Sequence, residues 1–375
     1  MKLISSNKQL KSPLVWLEID AEKVESNIKS IRNLVLDKKI MAVVKANAYG
    51  VGAVEIAKVI ESYVDSFGVV GIAEGKKLRN AGIKKPIINL GIYNPDDADE
   101  LTKNNITPTL FTETNLKNYE VKIKNKQNIW IKVDTGLGRL GVPYKNALDF
   151  IKTCSESKQI NISGIYSSLT EDASFDEIQL NRFINIKKQY EKKYTKKLIW
   201  SISSSAATFI SKKYYLDMVR IGIPLAGFYP SKEAKEATDV QLKPAVSYKT
   251  RVACIKELEK DESIFYRKTF VAKQKTRIAI LLPGYSYGLD PRLANRNQVL
   301  IQGKKYPLIG GISATNCFVD IWMNKKIDVG DEVVIFGQQN NLEIKLDELC
   351  DTLSQNVYEI LSRIPEKVTK IYKPS

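Results

Sequence analysis

Short apolar segments alternate with longer polar or amphipathic segments between residues 14 and 223. Eight apolar segments have the length of a buried strand, and the intervening segments, such as 51–63 and 175–196, show the i, i+3, i+4 apolar spacing of a helix. The eight predicted strands are 40–45, 67–72, 86–90, 106–110, 129–133, 162–166, 198–202 and 216–220. This repetition favours a (β/α)8 TIM-like barrel, with a doubly wound sheet as the structural alternative. A further strand at 14–19 is not one of these eight, and we expect it to pair outside the barrel.

The pattern changes after Pro230. From Lys243 onward, β-branched runs recur at short intervals and are separated by glycine and charged turns, which predicts a compact, mainly-β domain. A last helical segment is predicted at 346–364. We therefore predict an α/β barrel over 1–240, with an N-terminal strand segment, and a C-terminal mainly-β domain over 241–375.

Composition indicates a globular protein, because 43% of the residues are hydrophobic and 27% are charged. The sequence has no run of about 18 apolar residues and no apolar core of a signal peptide near its start, so we expect a cytoplasmic protein without a membrane span. The formal net charge is +16. Its lysines are spread along the chain and no nucleic-acid-binding motif accompanies them, so we expect no specific binding to nucleic acid.

The chain contains no histidine, which removes the usual general base and the commonest transition-metal ligand. Its four cysteines are too scattered for a zinc pattern or a disulfide framework. Acid–base chemistry must therefore use lysine, tyrosine, cysteine or carboxylates, and we predict no metal site.

Lys45 follows the apolar run that begins at Ile40, in the sequence IMAVVKANAYGVG. An ammonium at the end of a buried strand is costly unless it is paired or its charge is removed chemically. Burial lowers the pKa of a lysine, so a free amine could attack an aldehyde cofactor and later act as a base. The alternative is a strand end whose lysine extends to solvent.

The residues KANAYG, 45–50, resemble the cofactor-lysine motif of alanine racemases, enzymes that bind pyridoxal phosphate on a TIM-like barrel joined to a β-domain. Seven further segments resemble motifs of that family in the family's order. They are SPLVWLEIDAEKVESNI (12–28), IKVDTGLGRLG (131–141), SSSAAT (203–208), VRIGIPLAGFYPS (219–231), LKPAVSYKTRV (242–252), GYSYGLDPRLAN (284–295) and NVYEILSRI (356–364). The resemblance implies a racemase that interconverts L- and D-alanine with pyridoxal 5'-phosphate as cofactor.

The resemblance also assigns the two bases that racemisation needs. Lys45 would be the Schiff-base lysine and the base on the D-face of the substrate, and Tyr285 would be the base on the L-face. In the family this tyrosine comes from the second subunit, so the resemblance implies an obligate homodimer with shared active sites.

The phosphate of the cofactor needs donors that keep their protons, and backbone N–H groups after barrel strands seven and eight supply them. Taken alone, the two serines after strand seven could equally be an ordinary helix N-cap. Position and family together predict a phosphate site formed by Tyr49, Ser204, Ser205, Gly222, Ile223 and Tyr358.

Three cationic residues complete the predicted site. Arg220 would lie beside the pyridine nitrogen, where a guanidinium keeps the ring unprotonated and favours simple proton return. Arg139 resembles the arginine that neutralises the substrate carboxylate. Lys132 matches a lysine that is carbamylated in some members to hold that arginine; the alternative is an ordinary barrel-interior lysine.

Some positions depart from the family pattern. Ser167 and Ser168 replace a threonine and the histidine that packs on the cofactor ring and links the catalytic tyrosine to the pyridine arginine. Ala314 replaces a methionine beside the substrate, which predicts room for a larger side chain. These departures leave two alternatives open: a racemase for serine, lysine or a biosynthetic intermediate, and a low-activity or non-catalytic paralogue that binds pyridoxal phosphate. Further departures are Val51, Ala226, Tyr287, Gly311, Thr315 and Asn316.

Overall fold

A computed structural model describes residues 1–4 and 10–374. In chain order its elements up to residue 243 are β1 (Lys2–Ile4), β2 (Val15–Asp20), α1 (Ala21–Val35), β3 (Lys39–Val43), α2 (Lys45–Tyr49), α3 (Ala53–Ile60), β4 (Ser66–Val69), α4 (Ile72–Asn80), β5 (Ile87–Asn89), α5 (Ala98–Lys103), β6 (Ile106–Leu110), α6 (Glu113–Glu120), β7 (Gln127–Asp134), β8 (Val142–Pro143), α7 (Ala147–Glu156), β9 (Ile160–Tyr166), α8 (Ala173–Lys193), β10 (Ile199–Ser201), α9 (Ser205–Ile210), β11 (Met218–Ile221) and α10 (Lys232–Glu236). Beyond residue 243 they are β12 (Val246–Leu258), β13 (Ser263–Ile264), β14 (Phe270–Val271), β15 (Thr276–Leu281), β16 (Gln298–Ile301), β17 (Lys304–Ile309), β18 (Cys317–Trp322), β19 (Glu332–Gln339), β20 (Leu342–Ile344), α11 (Leu346–Leu353), α12 (Val357–Ser362) and β21 (Thr369–Lys373).

The described chain forms two compact units, Lys23–Lys243 and Met1–Glu22 with Pro244–Ser375. In the first unit the parallel strands follow the order β10-β9-β7-β6-β5-β4-β3-β11, and β8 adds to β7. Single hydrogen bonds, from Asp217 N to Trp200 O at 3.1 Å and from Arg220 N to Ser203 O at 3.2 Å, join the two ends of this order. The predicted (β/α)8 TIM-like barrel is therefore confirmed.

Each predicted barrel strand has an observed counterpart. Their apolar runs are buried, as Ile40 to Val44 are, which is the pattern of strands covered on both faces. Met41, Ile88, Trp130, Tyr166 and Met218 pack together as a core cluster. The large side chains of this cluster fill the barrel, so chemistry is expected at the carboxyl ends of the strands.

The second unit is a mainly-β structure, as predicted. Its strands follow the order β20-β19-β16-β17-β18-β15-β12-β2-β21, and they are antiparallel except for the parallel pair β2 and β21. Leu258, Ile264, Ala272, Ile278 and Ile309 form a core cluster.

The strand expected at 14–19 pairs outside the barrel, as predicted: β2 pairs with β12 and β21, and Val15, Leu17 and Ile19 are buried in this sheet. Met1–Glu22 therefore belong to the mainly-β unit, whereas the predicted domain boundary placed them with the barrel. The C-terminal helix also differs from the prediction. The single predicted helix at 346–364 is two helices: Ser354 ends α11 in a left-handed conformation, and the Asn356 side chain caps α12. A cap of this kind satisfies the first free N–H groups of a new helix.

Residues 1–4 and 10–374 contain no helix with the length and apolar character of a membrane span.

Candidate active site

Lys45 lies just beyond the carboxyl end of β3, at the start of the turn α2. Residues 46 to 49 of this turn all have positive φ angles between 51° and 56°, so α2 is left-handed. Ala48 N donates to Val44 O at 2.8 Å, and Gly50 N donates to Ala46 O at 2.9 Å. A left-handed turn costs L-residues about 1–2 kcal/mol each, so the surrounding structure must hold it.

Asn47 and Glu74 provide that support. The backbone N–H of Asn47 donates to Glu74 Oε1 at 3.3 Å, and its side-chain oxygen accepts from Ala53 N at 2.9 Å. The other oxygen of Glu74 accepts from Val70 N at 3.0 Å, at the end of β4. Glu74 therefore ties the lysine-bearing turn to the next barrel strand.

The half-buried position of Lys45 lowers its pKa. Burial is the main cause, the positive charges of Arg139 and Arg220 act in the same direction, and the carboxylate of Glu74 opposes them. Because a lowered pKa increases the share of neutral amine, Lys45 is suited to act as a nucleophile or a base.

Arg220 lies in β11 and is 7% exposed. Its guanidinium donates to Ser201 Oγ at 2.8 Å, to Ser167 O at 2.7 Å and to Ser168 Oγ at 3.5 Å. Burial lowers its pKa to about 10. Ser168, which stands in place of the family histidine, therefore still reaches this arginine.

Lys132 is buried on β7 and lies 5.3 Å from the centre of the Tyr166 ring. The guanidinium of Arg220 is also 5.3 Å from that centre, so one ring contacts two cations. Burial, together with the charges of Arg139, Arg220 and Lys45, lowers the pKa of Lys132 to about 7. Sequence reasoning missed Tyr166, although its position at the end of a barrel strand was a usable signal.

Arg139 lies in the loop after β7 and is exposed. Within the part of the chain that the structure describes, neither Arg139 nor Arg220 forms an ion pair with a carboxylate. Lys45, Lys132 and the two arginines therefore make one end of the barrel strongly positive, which suits an anionic ligand.

Four of the predicted phosphate-binding residues lie after β10 and β11, and the fifth residue of the barrel, Tyr49, ends α2 after β3. Ser204 Oγ accepts from Ala207 N and is the N-cap of α9, and Ser205 Oγ accepts from Gly222 N at 2.9 Å. A Cβ atom on Gly222 would lie 2.7 Å from the ring and hydroxyl of Tyr49, so these two residues are in close contact. Burial raises the pKa of Tyr49, which keeps its hydroxyl protonated as a donor. Ile223 follows as a buried residue.

Three predicted residues lie in the mainly-β unit. Tyr285 is 56% exposed, and its backbone is fixed because Tyr285 N donates to Ser313 O at 2.9 Å and Ser286 N donates to Ala314 O at 3.0 Å. Ala314 is half-buried. The hydrogen bond to its carbonyl oxygen ties its backbone directly to the Tyr285 segment. Tyr358 lies half-buried in α12.

Comparisons with known proteins agree with this architecture. The models of the alanine racemase N-terminal and C-terminal domains match residues 19–230 and 245–372. The alanine racemase of Clostridium perfringens is 34% identical over 368 residues, which cover 96% of this chain and 95% of that protein.

Solved structures give the same result. An alanine racemase of Clostridium difficile 630 superposes with a TM-score of 0.89 at 30% identity, covering 96% of each chain. The alanine racemase of Bacillus anthracis with bound L-Ala-P superposes with a TM-score of 0.90 at 27% identity, covering 98% of this chain and 97% of that one. Fold and site thus define an amino-acid racemase, an isomerase. The chain belongs to the alanine racemase family.

Proposed function

We propose that this protein interconverts L- and D-alanine with pyridoxal 5'-phosphate as cofactor and with Lys45 and Tyr285 as its two bases. One observation carries the proposal: a lysine with a lowered pKa stands at a barrel strand end, close enough to Arg139 and Arg220 to be influenced by their charges. This combination suits a lysine that must lose its proton before it reacts.

The residues present fit the cofactor. Four cationic groups influence one another at the barrel end, and its two arginines lack a carboxylate partner within residues 1–4 and 10–374. Such a site favours a dianionic phosphate and a substrate carboxylate. When bound, pyridoxal phosphate supplies an aldehyde carbon for an amine and a ring that withdraws electrons from the α-carbon. We propose that the phosphate is held by Tyr49, Ser204, Ser205, Gly222, Ile223 and Tyr358.

Arg220 makes proton return the favoured outcome. With a pKa of about 10, its guanidinium keeps its proton at neutral pH and acts as a hydrogen-bond donor rather than an acid. Arg220 would therefore leave the ring nitrogen of a bound cofactor without a proton, and the weaker electron withdrawal that such a ring would supply would favour return of the proton to the α-carbon. This chemistry favours racemisation over transamination.

The two bases act on opposite faces of the α-carbon. Lys45, as a neutral amine, removes or returns the proton on the D-face, and Tyr285 does so on the L-face. Arg139 neutralises the substrate carboxylate. Tyr285 is largely exposed on its own unit, which is consistent with its delivery to a second copy of the chain in a homodimer with shared active sites.

A second candidate substrate is a larger amino acid. Ala314 has a smaller side chain than the methionine that it replaces, and the two polar residues after it are bonded to each other, since Thr315 Oγ1 donates to Asn316 Oδ1 at 2.9 Å. A Cβ atom on Gly311 would lie 2.1 Å from the ring of Phe265, so Phe265 occupies the volume of any side chain at this position. A side chain at this position would have to displace the Phe265 ring.

The test is α-proton exchange in heavy water, followed by NMR and chiral chromatography, on L- and D-alanine, serine and lysine. Exchange with inversion on alanine supports the proposal, and faster exchange on a larger amino acid selects the second substrate. Lys45→Ala should abolish exchange of both isomers, whereas Tyr285→Phe should retain exchange of the D-isomer without inversion. Tyr194→Phe, a change at the end of α8, is the matched control. Bound cofactor without any exchange would refute catalysis and leave the non-catalytic paralogue.

A further inference from the structure

One face of α8 carries three polar residues, Asp176, Gln179 and Arg182, at a spacing of three. This spacing places them on the same side of a helix. Asp176 is 6% exposed and Gln179 is fully buried. Side chains of these types are buried only when hydrogen bonds satisfy them, so their partners identify what this face does.

Gln179 holds two barrel loops at once. Its Nε2 atom donates to Thr135 Oγ1 at 3.2 Å, after β7, and to Ser168 O at 3.1 Å, after β9. Its Oε1 atom accepts from Thr170 N at 2.9 Å, and Asp176 Oδ1 accepts from the same N–H at 3.0 Å. The amide of Gln179 is therefore fully engaged, and both loops are tied to one helix.

The network continues to Arg220. The hydroxyls of Thr135 and Ser167 lie 2.8 Å apart, and Ser167 O accepts from Arg220 Nη2 at 2.7 Å. Thr135, Ser167 and Gln179 are all fully buried. Buried polar networks of this kind are rigid when every member is satisfied.

Arg182 also holds the loop after β7, through a hydrogen bond to a backbone carbonyl of that loop. Its Nη1 atom donates to Thr135 O at 2.7 Å, and its guanidinium lies 4.4 Å from the centre of the Tyr144 ring and 5.5 Å from that of Phe175. The aromatic rings fix the guanidinium by cation–π contact, which in turn fixes the carbonyl of Thr135.

The loop is rich in glycine and is held at its start by Asp134, whose carboxylate accepts from Gly136 N at 2.9 Å and from Gly138 N at 3.1 Å. The bonds from α8 add to that support. Residues 135–141 read TGLGRLG, and all three glycines have positive φ angles. Glycine-rich backbone is flexible when nothing restrains it. The exposed Arg139 in this loop lacks an ion-pair partner within the described residues, so the loop backbone decides where its charge lies.

We propose that this face of α8 is a positioning platform that fixes loop 135–141, and with it Arg139, relative to Arg220, with Gln179 as its central positioning residue. The inference rests on the proposed function, in which both arginines face ligands. The inference makes substrate binding depend on α8, a helix that itself contacts no ligand.

Two substitutions of Thr135 separate the hydroxyl from the shape of the side chain. Thr135→Val keeps the shape and leaves Gln179 Nε2 and Ser167 Oγ each without one partner, whereas Thr135→Ser keeps the hydroxyl. Arg182→Met keeps the stem between the aromatic rings and removes the bond to Thr135 O. Thr153→Val is the matched control, since it removes a hydroxyl bonded to a helix carbonyl, Asp149 O, on the surface of α7.

Amide hydrogen exchange of segment 136–141 in the protein without cofactor is the first measurement. We expect Thr135→Val and Arg182→Met to accelerate exchange about two- to tenfold, the range for one neutral hydrogen bond. With pyridoxal phosphate added, KM for alanine should rise by a similar factor while kcat falls less than about twofold. Thr135→Ser and Thr153→Val should match the wild type in both.

The outcomes separate this inference from the proposed function. If Thr135→Val matches Thr135→Ser in exchange, or if kcat falls while KM and exchange stay unchanged, the platform is refuted. If Thr135→Val does not fold, Arg182→Met decides by the same criteria. If the wild type does not racemise alanine, the proposed function fails, and the exchange comparison still supports or overturns the platform.

Discussion

Lys132→Met should stabilise the protein without cofactor at neutral pH. Lys132 is 4% exposed, and burial with the charges of Arg139, Arg220 and Lys45 lowers its pKa from 10.5 to about 7. Asp134 opposes this shift only in part. Methionine has a similar length and no charge, so the substitution removes a poorly compensated buried ammonium and leaves the packing nearly intact.

The magnitude follows from the shift in pKa. A difference of about 3.5 units corresponds to about 5 kcal/mol at about 1.36 kcal/mol per unit. Between pH 7 and 10.5 the unfolded chain binds the proton more tightly than the folded protein does, so wild-type stability rises with pH across this window. Below about pH 7 both states are protonated and the full cost is present. The advantage of Lys132→Met should therefore be largest at and below pH 7, about 2–5 kcal/mol after small packing losses, and disappear above pH 10.5.

Urea unfolding between pH 6 and 10, in buffers free of carbon dioxide, measures this effect. Tryptophan fluorescence reports on both units, because Trp130 and Trp200 lie in the barrel and Trp16 and Trp322 lie in the mainly-β unit. Lower stability of Lys132→Met at pH 7, or an unchanged pH slope, would refute the reasoning.

Lys249→Met is the matched control for burial. Lys249 is 6% exposed, but it pairs with Glu18 at 3.0 Å and Glu332 at 3.3 Å. Removing this cation leaves Glu332 without this partner and Glu18 with Lys373 alone, so we expect a loss of about 1–3 kcal/mol. Opposite signs for two equally buried lysines would show that pairing, rather than burial alone, decides the result.

Three further predictions concern the site. With ¹³C-labelled bicarbonate, the wild type should give a carbamate NMR signal that is missing from Lys132→Met, because a pKa of about 7 leaves neutral amine to react. Gly222→Ala should weaken pyridoxal phosphate binding about tenfold in a fluorescence titration, since its Cβ would lie 2.7 Å from Tyr49 and displace that ring. Gly284→Ala should lower kcat about tenfold or more, because its Cβ would lie 2.1 Å from Ser313 O and displace the segment that carries Tyr285, the proposed second base. A larger loss of D-isomer exchange than of inversion would contradict this prediction. Gly71→Ala is the control for both, since a Cβ there meets nothing within 4 Å.

The barrel was predictable because its signal is local. Buried parallel strands such as β3 and β9 appear as short apolar runs, and their repetition with helices leaves few folds to choose from. The break between α11 and α12 was missed because Ser354, unlike glycine, gives no strong sequence signal for a left-handed residue.

Part of the site was visible for the same reason. Lys45 follows an apolar strand and Arg220 lies near the end of another, which places both at the carboxyl end of the barrel. The support around them was not visible, because Glu74 and Gln179 look like ordinary helix residues. Their partners, Asn47 and Thr135, are 27 and 44 residues away in the chain.

The sequence by itself determined the eight barrel strands, the change to a mainly-β unit and the residue types at the strand ends, since each depends on local patterns of burial. Tertiary structure decided the rest: the pairing of β2 with β12, the left-handed turn after β3 and the lowered pKa of Lys132. A pKa and a strained turn depend on charges and hydrogen bonds from distant parts of the chain, and only the folded protein brings these together.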